Sequence, residues 1–339
     1  MAPRAASAGR IADGARTRLI ELAAAYGGDA LGTPSAFFPT PEIPEVTLAA
    51  VGDGPLGTRV VDLAYRSEYE PFLAQARALH DRDRENHTAR ARWWTSDRGR
   101  PTLVVIHGYG GGTYWVSARA FSVAYWLRHG YDVVAFTLPF HGGRASANSP
   151  RAWPSPNPMR TNEGFGQAIF DLRALSRWLR KRGVPGVGAI GMSLGGYTTA
   201  LWASVAGAPE AATGGGIDAA VAMIPAVSMA HLMWQHGEAS PMRRRASGAG
   251  ITEDLLVDAF AVHAPLTRPV RLGRDRLAVV AGKGDRITPP DQAEALAAHW
   301  GVDVDWFDGG HLAQLGRGDA MRKVRRQLGA VFAGREFRS

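Results

Sequence analysis

The sequence predicts an α/β fold, with a mostly parallel central sheet of about eight strands, helices on both faces and a cap inserted late in the chain. Three observations carry that expectation. From residue 101 onward, short β-branched runs alternate with helical stretches, the pattern of parallel strands joined by right-handed crossovers. Chemistry-bearing residues follow directly on several of these runs, where open sheets of this kind bind their ligands. Residues 226–275 separate two strands where one crossover helix would suffice.

In chain order, residues 14–27 form an amphipathic helix, and "GTPSAFFPTPEIPEV" (32–46), with four prolines, reads as an extended arm laid over a surface. Residues 1–58 are therefore expected to be an N-terminal helix and Pro-rich arm, and 59–335 the main domain. "TRVVDLAYRS" (58–67) and "HTARARWWTS" (87–96) alternate as a half-buried antiparallel pair does. Then come "TLVVIHG", a helix over 117–129, "YDVVAFTLP", a helix over 162–182, "VGAIG", a helix from Leu194, "DAAVAMIP", "RLAVVAG" and "VDVDWF". A long Pro/Ser-rich loop occupies 141–159, and residues 226–275 are the expected cap or lid.

Composition narrows the function classes. Of the 339 residues 45% are hydrophobic and 21% charged, enough apolar surface for a large core. The formal charge of +8 would suit a nucleic acid or an anionic surface. Lysine, however, occurs only at Lys181, Lys283 and Lys323, and the arginines are scattered rather than gathered into a groove, so no nucleic-acid partner is expected. Without cysteine there is no disulfide, thiolate nucleophile or cysteine metal site. Arg16, Arg18 and Glu21 interrupt every candidate signal-peptide core, and no run approaches membrane-span length, so a cytoplasmic protein without membrane insertion is expected.

Gly191-Met192-Ser193-Leu194-Gly195 is a G-x-S-x-G sequence with an expected strand before it and a helix after it. A serine at the apex of so sharp a turn strains the backbone, and glycines on either side relieve the crowding. A serine hydroxyl needs a base, and the base needs an orienting group. Asp285 follows "RLAVVAG" and His311 follows "VDVDWF", in the order nucleophile, acid, histidine. The rival acids are Asp303, Asp305 and Asp308; the rival histidines His231, His236 and His263 all lie in the expected cap. Backbone N–H groups of Leu194 and Tyr109, with Gly110 as the alternative to Tyr109, are the expected donors to an oxyanion. His107 and His141 are read as loop braces.

On "HGYGGG" (107–112), "GMSLGG" (191–196), "GKGD" (282–285) and "GGH" (309–311), the chain resembles the α/β-hydrolase superfamily over roughly residues 60–335. "LPFHGGR" (138–144) is similar to the branches around dienelactone hydrolase and the prolyl-oligopeptidase-like domains, with serine in place of the former's cysteine. The resemblance implies a serine carboxylic-ester hydrolase that forms an acyl-enzyme and needs no metal or organic cofactor. Its partner is then a small-molecule ester. Met223, Met229, Met233, Trp234 and Met242 suggest apolar groups on that ester. Acyl transfer or thioester cleavage on the same three residues is the alternative, and a non-catalytic binding protein on the same scaffold is a further one.

Overall fold

Nine strands form one sheet in the order β1-β2-β3-β5-β4-β6-β7-β8-β9. They are β1 Val46–Asp53, β2 Arg59–Arg66, β3 Thr88–Thr95, β4 Thr102–Ile106, β5 Asp132–Thr137, β6 Val187–Met192, β7 Ala219–Met223, β8 Leu277–Gly282 and β9 Val304–Phe307. The computed structural model describes residues 3–145, 153–155, 157–208, 211, 213–236 and 241–333; the side chains of residues 3–13, His236 and Met242, and part of the 141–159 loop, lie outside this description. From β1 through β3 to β5 the pairing is antiparallel. From β5 through β4, β6, β7 and β8 to β9 it is parallel.

β4, β5, β6, β7 and β8 are buried along their whole length, because helices cover both faces. Successive residues of β4 show the pleat: Val104 and Ile106 enter one core, Leu103 and Val105 the other. The helices, in chain order, are α1 Pro3–Tyr26, α2 Gly28–Gly32, α3 Pro34–Phe37, α4 Arg77–His80, α5 Tyr114–Ala120, α6 Val123–Arg128, α7 Pro158–Lys181, α8 Leu194–Val205, α9 Met229–His236, α10 Pro241–Gly248, α11 Glu253–Phe260, α12 Pro290–Trp300 and α13 Arg317–Phe332. α7, α8 and α12 pack into the first core, and α6 and α13 into the second. α9, α10 and α11 lie between β7 and β8, in the segment read as an insertion.

Three elements differ from expectation. The "GTPSAFFPTPEIPEV" arm is not extended throughout: Pro34, at a first helical position, starts the short helix α3, which turns Phe37 into the core. β1 is an additional strand, and the expected 117–129 helix is two helices broken at Ser122, which is left-handed at φ 52°. Phe121 and Val123 both enter the second core. In one continuous helix they would point about 200° apart, so the break lets both reach the sheet.

The N-terminal segment is tied down by polar contacts. Arg173 of α7 donates from Nη1 to the carbonyls of Phe38 (2.7 Å) and Pro39 (3.0 Å), and Phe37 and Phe38 are buried. At the end of α1, Tyr26 donates its hydroxyl to Glu163 Oε1 at 2.7 Å. Glu163 also accepts from the Tyr69 hydroxyl (2.6 Å) and from the backbone N–H groups of Phe72 (2.9 Å) and Leu73 (3.1 Å). Four neutral donors thus satisfy a buried carboxylate, as burial of a charge requires.

Candidate active site

The carboxyl ends of β4, β6, β8 and β9 bring the candidate residues to one edge of the sheet. Ser193 is the single residue between β6 and α8, held at φ 56°, ψ −116°. Non-glycine residues adopt such a conformation only when their surroundings impose it. A Cβ on Gly191 would lie 1.9 Å from the carbonyl oxygen of Gly195, and one on Gly195 would lie 1.9 Å from that of Ile106. The turn can close only if both positions lack a side chain. Ser193 is then anchored on both sides: its N–H donates to Met223 O (3.0 Å), and its carbonyl accepts from Tyr197 N (2.9 Å) and Ala226 N (3.3 Å).

His311 Nδ1 lies 2.8 Å from Asp285 Oδ2, with both side chains largely removed from solvent. Donating Nδ1–H to the carboxylate leaves Nε2 as the basic nitrogen. Asp285 Oδ1 accepts from the backbone N–H groups of Ile287 (2.8 Å) and Thr288 (2.9 Å). Burial alone would raise the Asp285 carboxyl, but the His311 hydrogen bond and these two amides outweigh it and hold it below the ordinary carboxylate value. The two loops are joined by Gly284 N donating to Gly309 O at 3.1 Å. Gln314 Nε2 braces the His311 carbonyl (3.1 Å) and is itself held by Arg317 (2.6 Å).

The rival residues stand elsewhere. Asp308 is exposed and paired with Lys283 at 2.8 Å, and Asp305 pairs with Lys323. His231 pairs with Glu253 (2.6 Å), and His263 is fully buried with Nδ1 2.7 Å from the Tyr197 hydroxyl. Leu194 is the first residue of α8, so its N–H belongs to the group at a helix start without an intrahelical acceptor. In the loop after β4, a Cβ on Gly108 would lie 3.3 Å from Ser193 Cβ, and Gly110 has φ +73°. Tyr109 and Gly110 therefore follow the residue that faces the serine.

His107 connects this loop to the next strand. Leu138 N donates to His107 Nε2 at 3.1 Å, which places the proton on Nδ1, donated to Gly108 O at 2.8 Å. Burial, reinforced by His141 nearby, pushes the imidazole down to about 3, so it stays neutral at working pH. His107→Phe is expected to cost about 1–3 kcal/mol by orphaning the Leu138 N–H. It should lower turnover by less than about tenfold, where loss of a catalytic base costs far more; urea melts and ester kinetics check both.

A sequence model described as "Alpha/beta hydrolase family" matches residues 103–324. The chain belongs to this family. In fold the hydrolase is similar to an acetyl xylan esterase from Paenibacillus sp. R4, at 14% identity and TM-score 0.63, covering 88% of this chain and 94% of that one. It is likewise similar to acetyl xylan esterase 1 from Thermoanaerobacterium sp. JW/SL YS485, at 15% identity and TM-score 0.58 with the same coverages. A bifunctional GH43-CE protein from Bacteroides eggerthii aligns at 18% identity and TM-score 0.51, over 74% of this chain and 36% of that one. No curated protein sequence matches the hydrolase.

Some supporting residues of the hydrolase were not read from its sequence. The Thr288 hydroxyl lies 3.1 Å from Asp285 Oδ2, 3.1 Å from His311 Nδ1 and 3.0 Å from Ile224 O, joining the acid, the histidine and the segment after β7. The "LPFHGGR" loop is held by Arg144, fully buried and paired with Asp171 of α7 at 2.7 Å. Arg144 also donates to the carbonyls of Thr137 (3.2 Å) and Asn86 (2.9 Å), and Ser67 Oγ donates to Asp171 Oδ1 at 2.6 Å. Of the residues read as a methionine-rich wall, Met223 and Met229 are core packing, whereas Met233 and Trp234 line a cavity. Among the described residues no group of three or more His, Asp or Glu could hold a metal ion, and no helix is long and apolar enough to cross a membrane.

Proposed function

We propose that the protein is a serine carboxylic-ester hydrolase. Ser193 attacks the acyl carbonyl while His311 Nε2 takes its proton, Asp285 holds the imidazole tautomer and balances the imidazolium, and water then releases the acyl-enzyme. The N–H groups of Leu194 and Tyr109 receive the developing oxyanion, each such donor being worth about 3 kcal/mol. The reading is carried by one observation: a serine held at φ 56° by flanking glycines, at the sheet edge that also presents a partly buried His311–Asp285 pair. Exposed apolar side chains beside these residues, Tyr109, Ile287 and Leu312, suit an ester with apolar groups.

Labelling with a fluorophosphonate and mapping the adduct tests the proposal without knowledge of the natural ester. An adduct on Ser193 supports it; an unlabelled Ser193 in folded protein overturns it.

Asp285→Asn should lower kcat on the order of 10³- to 10⁴-fold, because the neutral amide no longer selects the tautomer with Nδ1 protonated. The pH dependence has a defined sign. A carboxyl depressed on folding contributes stability that is complete above its unfolded value of about 3.9 and is lost as pH falls through the lower folded value. The stability gap between wild type and Asp285→Asn should therefore be widest near neutral pH and narrow only in strong acid. Urea unfolding at several pH values measures it.

A further inference from the structure

A cavity of about 750 Å³ lies between the first helix and the inserted helices. Its apolar walls come from three distant parts of the chain: Leu19 and Leu22 of α1, Met159 at the start of α7, and Met233, Trp234 and Leu256 of α9 and α11. Among the described residues, none of Tyr109, Ser193, Asp285 and His311 lines it. The volume is that of a small-molecule site rather than a packing defect. Leu19 is 5% exposed and Phe260, on the same wall, 3% exposed.

The frame is fastened. Arg16 Nε of α1 donates to Gly250 O at 3.1 Å, joining the first helix to the insertion. Arg243 Nη1 donates to Trp234 O at 2.9 Å, with its guanidinium 4.6 Å from the indole centroid, fixing that ring. Methionine on two sides gives a wall that adapts to a flexible chain. At the solvent-facing rim, Arg18 and Arg243 outnumber Glu21, and Arg244 and Arg245 extend the positive charge outward. An apolar interior with a cationic mouth is complementary to one amphiphile.

We propose that this cavity is a binding site, apart from the catalytic residues, for an amphiphile with one long apolar chain and an anionic head. The chain lies between α1 and the inserted helices and the head is at Arg18 and Arg243. This inference stands whether or not Ser193 is a nucleophile.

The test titrates full-length protein, with Ser193 replaced by alanine, with the fluorescent fatty acid cis-parinaric acid. Saturable binding of one molecule per chain is expected. Ala15→Trp on α1 and Ala246→Trp on α10, both lining the cavity, should each weaken it by about tenfold or more by occupying the space. Leu48→Trp, on the exposed edge of β1, should leave it unchanged. Arg18→Glu should weaken the acid but not the uncharged parinaryl alcohol. Circular dichroism and melting curves establish that each variant is folded. Non-saturable uptake, or full affinity in both folded tryptophan variants, overturns the proposal. So does binding that the Ser193→Ala protein lacks and the wild type has.

Discussion

Replacing Ser193 with alanine is expected to lower kcat by on the order of a thousandfold or more and to leave the melting temperature almost unchanged. The rate change follows from removing the attacking oxygen; a thousandfold loss corresponds to about 4 kcal/mol in the barrier. The stability is retained because what holds the turn is backbone: Ser193 N to Met223 O, and Ser193 O to Tyr197 N and Ala226 N. Alanine keeps all three bonds and the same φ of 56°. Turnover of a p-nitrophenyl ester, with calorimetry on the same sample, measures both quantities. Wild-type turnover by the alanine variant would remove Ser193 from the mechanism.

Gly195→Ala is expected to have the largest effect on stability, more than about 4 kcal/mol, and to leave little folded protein. The added carbon would lie 1.9 Å from Ile106 O, 2.6 Å from Ile106 C and 2.7 Å from His107 O. These atoms form the end of the central strand β4, and a backbone hydrogen-bonded into a sheet cannot step aside as a side chain can. Two other glycines calibrate the result. At Gly196 the nearest atom to a new Cβ is Pro225 Cα at 3.0 Å, so a few tenths of an ångström of movement suffice. At Gly110 nothing lies within 4 Å and only the positive φ of +73° opposes a side chain, at a cost on the order of 1–3 kcal/mol. Chemical denaturation of the three alanine variants should rank Gly195 as clearly the most damaging. Equal effects would mean that close approach does not set the identity of Gly195.

The parts of this molecule that were legible in its sequence are those in which one local constraint dictates residue type. Strands buried on both faces must be apolar throughout, so β4, β5, β6, β7 and β8 stand out as runs. A strained strand-to-helix turn must be flanked by residues without side chains, so Gly191 and Gly195 mark Ser193. Asp285 and His311 each follow directly on a strand run, and the structure brings their side chains to 2.8 Å.

What was not legible depends on partners far away in the chain. β1 pairs with β2 on one edge only, and its residues are almost all exposed, so no buried face imposes alternation on "VTLAAVGD". The break at Ser122 serves tertiary packing of Phe121 and Val123, which no helical periodicity reveals. Thr288 is an ordinary loop threonine until Ile224, Asp285 and His311 surround it. Arg144, at the end of "LPFHGGR", and Asp171 are a fully buried pair 27 positions apart, a separation at which no local pattern marks one as the partner of the other.

Glu163 has a consequence for how the molecule could be shortened. A version beginning after Tyr26 would keep the carboxylate in place while deleting a neutral donor and uncovering the apolar surface beneath it. The first helix is therefore a poor candidate for trimming or for exchange with an unrelated leader sequence. Like a keystone set last at the edge of an arch, it completes an interior that the rest of the chain leaves one hydroxyl short.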